Sequence, residues 1–228
     1  MTNLHPLPST SPLHVQAQTQ SRLAALGLTD ELLQNALRFA YSESERCSGN
    51  DVSSAAGYAK WGKPLRFLRD HLLPEGWLRG GLPRLESVVS PDGSFRITSA
   101  TGNFATGDLA WMPATAGLKG RLALEAIGDN GQGALDIAGE SREVVAPMIT
   151  YYLLHHLDLE KEQIRSELSI PTHMTIRPKA KKGRIDEFKN RLILNSIDFG
   201  IETDVEDGSE ADFSDDLDIP VPRRATSE

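Results

Sequence analysis

His155, His156, Asp158 and Glu167 gather imidazole and carboxylate groups in one short stretch. Such groups can hold a divalent metal and through it activate a water for hydrolysis. On a strand, adjacent histidines point to opposite faces, so His156 shares a face with Asp158 and His155 does not. Glu167 then faces that pair from a returning strand. No further ligand follows at a recognised spacing such as His-Glu-x-x-His. Asp186-Glu187-Phe188-Lys189 contains Glu-x-Lys, the last part of a common nuclease signature, with Glu187 as metal ligand and Lys189 stabilising charge. That signature belongs on a strand, whereas the local spacing here predicts a helix. His156, Asp158, Glu167, Glu187 and Lys189 therefore define one alternative, a metal-dependent hydrolase or nuclease. A solvated hairpin end and a solvated helix face are the preferred readings of the two segments.

Other catalytic patterns fail on their chemistry. Gly102 and Gly107 have the spacing of a phosphate loop, but Asp108 stands where the lysine belongs and Leu109 where the hydroxyl belongs. A carboxylate there repels phosphate, so Thr101–Asp108 reads as a turn. No Gly-x-Ser-x-Gly elbow occurs. The single cysteine, Cys47, follows Glu43 and Glu45, whose charges disfavour a thiolate nucleophile. One cysteine makes no intrachain disulfide and no multi-cysteine zinc cage. No cofactor is expected, and the sequence leans away from an enzyme.

Binding is better supported. Arg177-Pro178-Lys179-Ala180-Lys181-Lys182-Gly183-Arg184 places five cations in eight residues, with Pro178 and Gly183 favouring a loop. Such a patch attracts phosphate backbones or an acidic peptide. No aromatics are interleaved, so base stacking is not indicated. The opposite charge lies in the tail. Residues 1–201 carry 22 acidic and 22 basic side chains, and the formal charge of −8 belongs to residues 202–228. Nine carboxylates and no cation lie between Glu202 and Asp218. Such a run repels itself and has little apolar surface to bury, which predicts a disordered acidic tail.

Asp212-Phe213-Ser214-Asp215-Asp216-Leu217-Asp218-Ile219-Pro220-Val221 resembles the acidic tip of bacterial single-stranded DNA-binding proteins. That resemblance implies a protein partner held through Asp215, Asp216, Asp218 and Ile219. The family's tip ends in phenylalanine with a free carboxylate, whereas here seven residues follow Val221. Gln132-Gly133-Ala134-Leu135-Asp136-Ile137 looks like the short peptide by which many bacterial proteins bind the sliding clamp, with Gln132, Leu135 and Ile137 in the specified places. The segment from Tyr58 through Trp77 is similar to uncharacterised bacterial proteins, some carried on mobile elements. Together these resemblances imply an accessory protein of DNA maintenance or defence. The resulting expectation is a non-enzymatic binding or regulatory protein. Arg177, Lys179, Lys181, Lys182 and Arg184 contact nucleic acid or the acidic tail, and the tail engages a protein partner.

The elements that must position these residues follow from pattern. Residues 1–20, with three prolines in the first twelve, read as a flexible leader, 21–201 as one domain, and 202–228 as the tail. Thr29 caps a helix whose Leu33, Leu37 and Tyr41 repeat at spacing four. Ser54–Leu73 is helical, interrupted or kinked at Pro64. Leu85–Val89 and Phe95–Thr98 flank the turn Ser90-Pro91-Asp92-Gly93. Lys119–Ile127 reads as a short helix, followed by a glycine-rich loop through Gly128, Gly131, Gly133 and Gly139. Met148–Leu154 and Ile164–Ile170 form a second hairpin, and Arg184–Ile197 a final helix. The fold class is α+β, a small antiparallel sheet of two hairpins packed by helices. No apolar run reaches the ~20 residues of a membrane span, and the absence of a secretory signal pattern makes the cytoplasm the default location.

Overall fold

The computed structural model describes residues 12–81, 85–132 and 148–199. The acidic tail with Asp215, Asp216, Asp218 and Ile219, and residues 133–137 of the clamp-like peptide, lie outside the described residues.

Three helices come first among the described residues: α1 (Pro12–Ala25), α2 (Asp30–Glu45) and α3 (Ala55–Leu72). The leader expected to extend to residue 20 is thus helical from Pro12. It docks because Thr19 and Leu23 are buried and Gln16 donates to Asn195 at 2.6 Å. In α2 the Thr29 hydroxyl accepts from the Leu32 amide at 3.1 Å, and Asp30 and Glu31 lie in the first turn, where carboxylates suit the helix dipole. Helix α3 passes through Pro64 without ending, and the proline is buried. Pro64 has no N–H to offer the carbonyl of Lys60.

Among the described residues the sheet has seven strands: β1 (Leu78–Gly80), β2 (Ser87–Val89), β3 (Phe95–Thr101), β4 (Ile149–Asp158), β5 (Gln163–Ile176), β6 (Gly183–Ile193) and β7 (Ile197–Asp198). Their order is β1-β2-β3-β4-β5-β6, with β7 also paired to β5. The α+β class stands, but the sheet is larger than two hairpins and is mixed. β3 and β4 run parallel, in register from Phe95↔Ile149 to Thr101↔His155, whereas the other pairs are antiparallel. A parallel pair requires a crossover, and that crossover contains α4 (Arg121–Gln132). Gly128 and Gly131, expected in a loop, fall inside α4. Asn130 fastens this helix to the sheet, accepting from the Thr150 amide at 2.7 Å and donating to the carbonyls of Thr150 and Pro171.

The final helix expected at Arg184–Ile197 is instead strand β6. Ile185, Phe188 and Leu192 are spaced like a helix face, yet all three are buried from an extended chain. Register shifts in the β5–β6 ladder and a positive φ at Asn190 break simple alternation and return these residues to the interior.

Burial divides by sheet face. Helices α1–α3 cover Ile97, Tyr151, Leu153, Ile164 and Leu168 with Leu23, Leu33, Leu37 and Leu68. Helix α4 and the 102–120 segment cover the other face, where Ala100, Tyr152, Leu154, Met174, Ile185 and Phe188 cluster with Ala123.

Candidate functional site

The β5–β6 hairpin extends past its neighbour. Pairing of β4 with β5 begins at Tyr152↔Ser169, while β5 and β6 remain paired as far as Ile176↔Gly183. The turn beyond is the basic run. Arg177–Lys182 and Arg184 are exposed, Ala180 donates to the Arg177 carbonyl at 3.0 Å, and Lys179 adopts a φ of 66°. No ion pair among the described residues uses Arg177, Lys179, Lys181, Lys182 or Arg184. The structure therefore brings these five sequence-predicted residues together at one protruding hairpin end, four on the turn and Arg184 at the start of β6.

The root of that turn is held rigidly. Lys119 and Gly183 exchange backbone hydrogen bonds of 2.7 and 2.9 Å, and Thr115 donates its amide to the Ile185 carbonyl at 2.9 Å while its hydroxyl accepts from the Ile185 amide at 3.2 Å. Gly183 is required here because a β-carbon would collide with the carbonyl of Thr175. Between the turn and the 114–118 segment lies a cleft of about 430 Å³. Arg177, Lys182 and Arg184 line it with Ala114, Leu118 and a single carboxylate, Asp186. Asp186 is engaged, receiving His173 Nδ1 at 2.8 Å. Partial burial pushes its carboxyl up, but hydrogen bonds from Thr175 and His173 outweigh this and lower its pKa. The cleft thus presents three cations beside one ionised carboxylate, and among the described residues none of the three is ion-paired with it. Ala114 and Leu118 had no signal in the sequence as site residues, since only the bridge to Gly183 delivers them there.

The expected metal-binding alternative is placed differently. His156, Asp158 and Glu167 do share one face, because His156 pairs with Arg165, Asp158 with Gln163 and Leu154 with Glu167. Each carboxylate, however, meets an arginine. Asp158 binds Arg165 at 3.2 Å. Glu167 is fully buried and binds Arg191 Nη2 at 2.5 Å and Nε at 3.0 Å, the Ser169 hydroxyl at 2.8 Å and the Gly107 amide at 3.0 Å. Arg191 also donates to the carbonyls of Asp108 and Trp111. Glu167 is therefore a structural anchor for the 102–120 segment. Glu187 and Lys189 are on a strand after all, opposite His173 and Ile170. Glu187 lies six residues from Ile193, the partner of Glu167, or roughly 20 Å along the strand. Among the described residues, no group of three or more His, Cys, Asp or Glu is arranged to hold a metal ion.

His155 turns to the helix face and is completely buried. Tyr41 Oη lies 3.0 Å from its Nδ1. Burial first, then the charges of Lys60 and Lys119, push its pKa down to about 3. Its imidazole is neutral and structural. Half-burial and the charge of Arg165 also lower the pKa of His156.

No family model, no curated protein and no solved structure matches the chain. No described helix is long and apolar enough to cross a membrane.

Proposed function

We propose that the chain is a non-enzymatic binding protein that holds the phosphate backbone of nucleic acid at the β5–β6 turn. The observation that carries this reading is the projection of five cations at one rigidly rooted hairpin end, none of them in an ion pair among the described residues. Contacts of this kind position a backbone without reading its sequence. The expected mode is weak, salt-sensitive and tolerant of sequence, with affinity in the range of ~10⁻⁴–10⁻⁶ M at physiological salt.

The acidic tail is the intramolecular competitor in this proposal. β7 joins β5 at Ile164, twelve residues from Ile176, which is about 40 Å along the strand. Asp215 follows Phe199 by sixteen residues, a length of chain that spans up to ~53 Å when extended. The carboxylates can therefore reach the turn of their own molecule.

Fluorescence anisotropy with a labelled short DNA duplex at low salt tests the proposal. Lys181→Glu with Lys182→Glu should weaken binding at least tenfold, and truncation after Ile201 should strengthen it. Binding unchanged by the charge reversal overturns the proposal, and binding unchanged by truncation removes the tail from it.

A further inference from the structure

Among the described residues β2 pairs with β3 only at Arg96 and Ile97, so β3 continues to Thr101 without β2 beside it. Along this edge, whose end is bonded by the Ala116 amide at the Thr101 carbonyl, lies a cavity of about 650 Å³, within the size range of small-molecule sites. Trp61 of α3 closes it on one side, Leu122 and Ala123 of α4 on another, and Leu85 on a third. The walls are largely apolar, and the polar side chains among them include Ser99, Lys119 and Tyr152.

Ser99 and Tyr152 both line the cavity and are 4% and 1% exposed. Among the described residues neither Ser99 Oγ nor Tyr152 Oη has a hydrogen-bond partner. Buried hydroxyls ordinarily do have one. Lys119 also lines the cavity, and no ion pair or side-chain hydrogen bond engages its ammonium among the described residues. Burial lowers its pKa. The one carboxylate in the lining, Glu86, is taken by Arg69 at 2.6 Å. Arg121 lies at the helix start and pairs with Glu125 at 3.0 Å. Tyr152 turns to the α4 face of the sheet and Ser99 to the opposite one. Among the described residues the Ser99 hydroxyl and the Lys119 ammonium are thus left without an acceptor.

We infer that this cavity binds a small amphipathic carboxylate. Its apolar body packs against Trp61, Leu85 and Leu122, and its anionic end accepts from Lys119 with Ser99 as a neutral donor. A neutral ligand would leave the ammonium uncompensated, and a multiply charged phosphate would meet too much apolar wall. This site is independent of the hairpin turn. Lys119 contributes its backbone to the root of that turn and its side chain to the cavity.

Octanoate and 1-octanol are the probes, matched in apolar body and differing in charge. Titration calorimetry on the full chain should show saturable octanoate binding at least tenfold tighter than that of 1-octanol. Lys119→Met, which keeps an apolar stem, should erase that preference while retaining 1-octanol. Lys119→Arg should preserve the preference, which keeps the test valid even if the methionine variant does not fold. Ser99→Ala should weaken octanoate several-fold. Absence of saturable octanoate binding, equal affinity for the two probes, or a preference that survives Lys119→Met overturns the inference.

Discussion

Strand β5 carries charge at both of its ends and uses it in opposite ways. Toward its start, Arg165 meets Asp158, and the buried Glu167 meets Arg191 with the Ser169 hydroxyl and the Gly107 amide completing its shell. Toward its end, the five cations of the hairpin end are exposed and enter no ion pair among the described residues. Charges of the first kind are committed to holding the 102–120 segment on the sheet. Those of the second kind are available to another molecule. Residue type alone does not distinguish the two ends. Burial and partnership do.

The sharpest way to break this comparison is to remove charge at each end in turn. Glu167→Ala leaves the largely buried Arg191 charge without its carboxylate, and loss of one partner from a buried pair costs about 3–5 kcal/mol. Urea unfolding should show a loss of that order. At the other end, Lys181→Gln with Lys182→Gln should leave stability within about 0.5 kcal/mol, as for most surface substitutions. Comparable losses at the two ends would end the distinction.

A smaller effect is expected from pH. His155 has its pKa lowered to about 3 in the fold, against an ordinary value of 6.5. Below pH 6.5 the unfolded chain takes up a proton that the folded chain refuses, so stability rises with pH across this window and falls on acidification. The slope is about 1.4 kcal/mol per pH unit, lost progressively from 6.5 toward 3. His156, also lowered, adds in the same direction. Denaturation at pH 7 and pH 5 measures this, and a flat response would show that His155 is not held neutral.

The smallest effect concerns a helix cap. Thr29→Ala removes the acceptor for the Leu32 amide and should cost about 1 kcal/mol without altering DNA binding at the turn.

What the sequence revealed was local, and what it concealed was tertiary. The Thr29 cap and the spacing of Leu33, Leu37 and Tyr41 specified α2 because a helix is written within a few residues. Pro91-Asp92-Gly93 specified the β2–β3 turn, where the Asp92 carboxylate collects the Ser90 and Ser94 hydroxyls and the Ser94 amide. Those bonds lower its pKa to about 2. Strand β6 was misread because bulges in its ladder with β5 give Ile185, Phe188 and Leu192 a helix-like spacing. The parallel β3–β4 pairing was equally hidden, since its crossover has no local signature. For the site, the five cations were legible because they are nearly consecutive. The shared face of His156, Asp158 and Glu167 was legible from strand alternation. Arg191, which neutralises Glu167, was not, because it reaches that carboxylate only through the misread strand. Ser99 and Lys119 line the cavity from two elements, and no spacing relates them.

The account depends most on the claim that the turn's charge is available to a polyanion. The slope of log K against log salt for duplex DNA measures it directly. Each phosphate neutralised contributes roughly −0.9, so five engaged cations give a slope of up to about −4.5. Lys181→Gln with Lys182→Gln should make that slope shallower by about 1.8. A slope near zero, or one that the double substitution leaves unchanged, contradicts the claim.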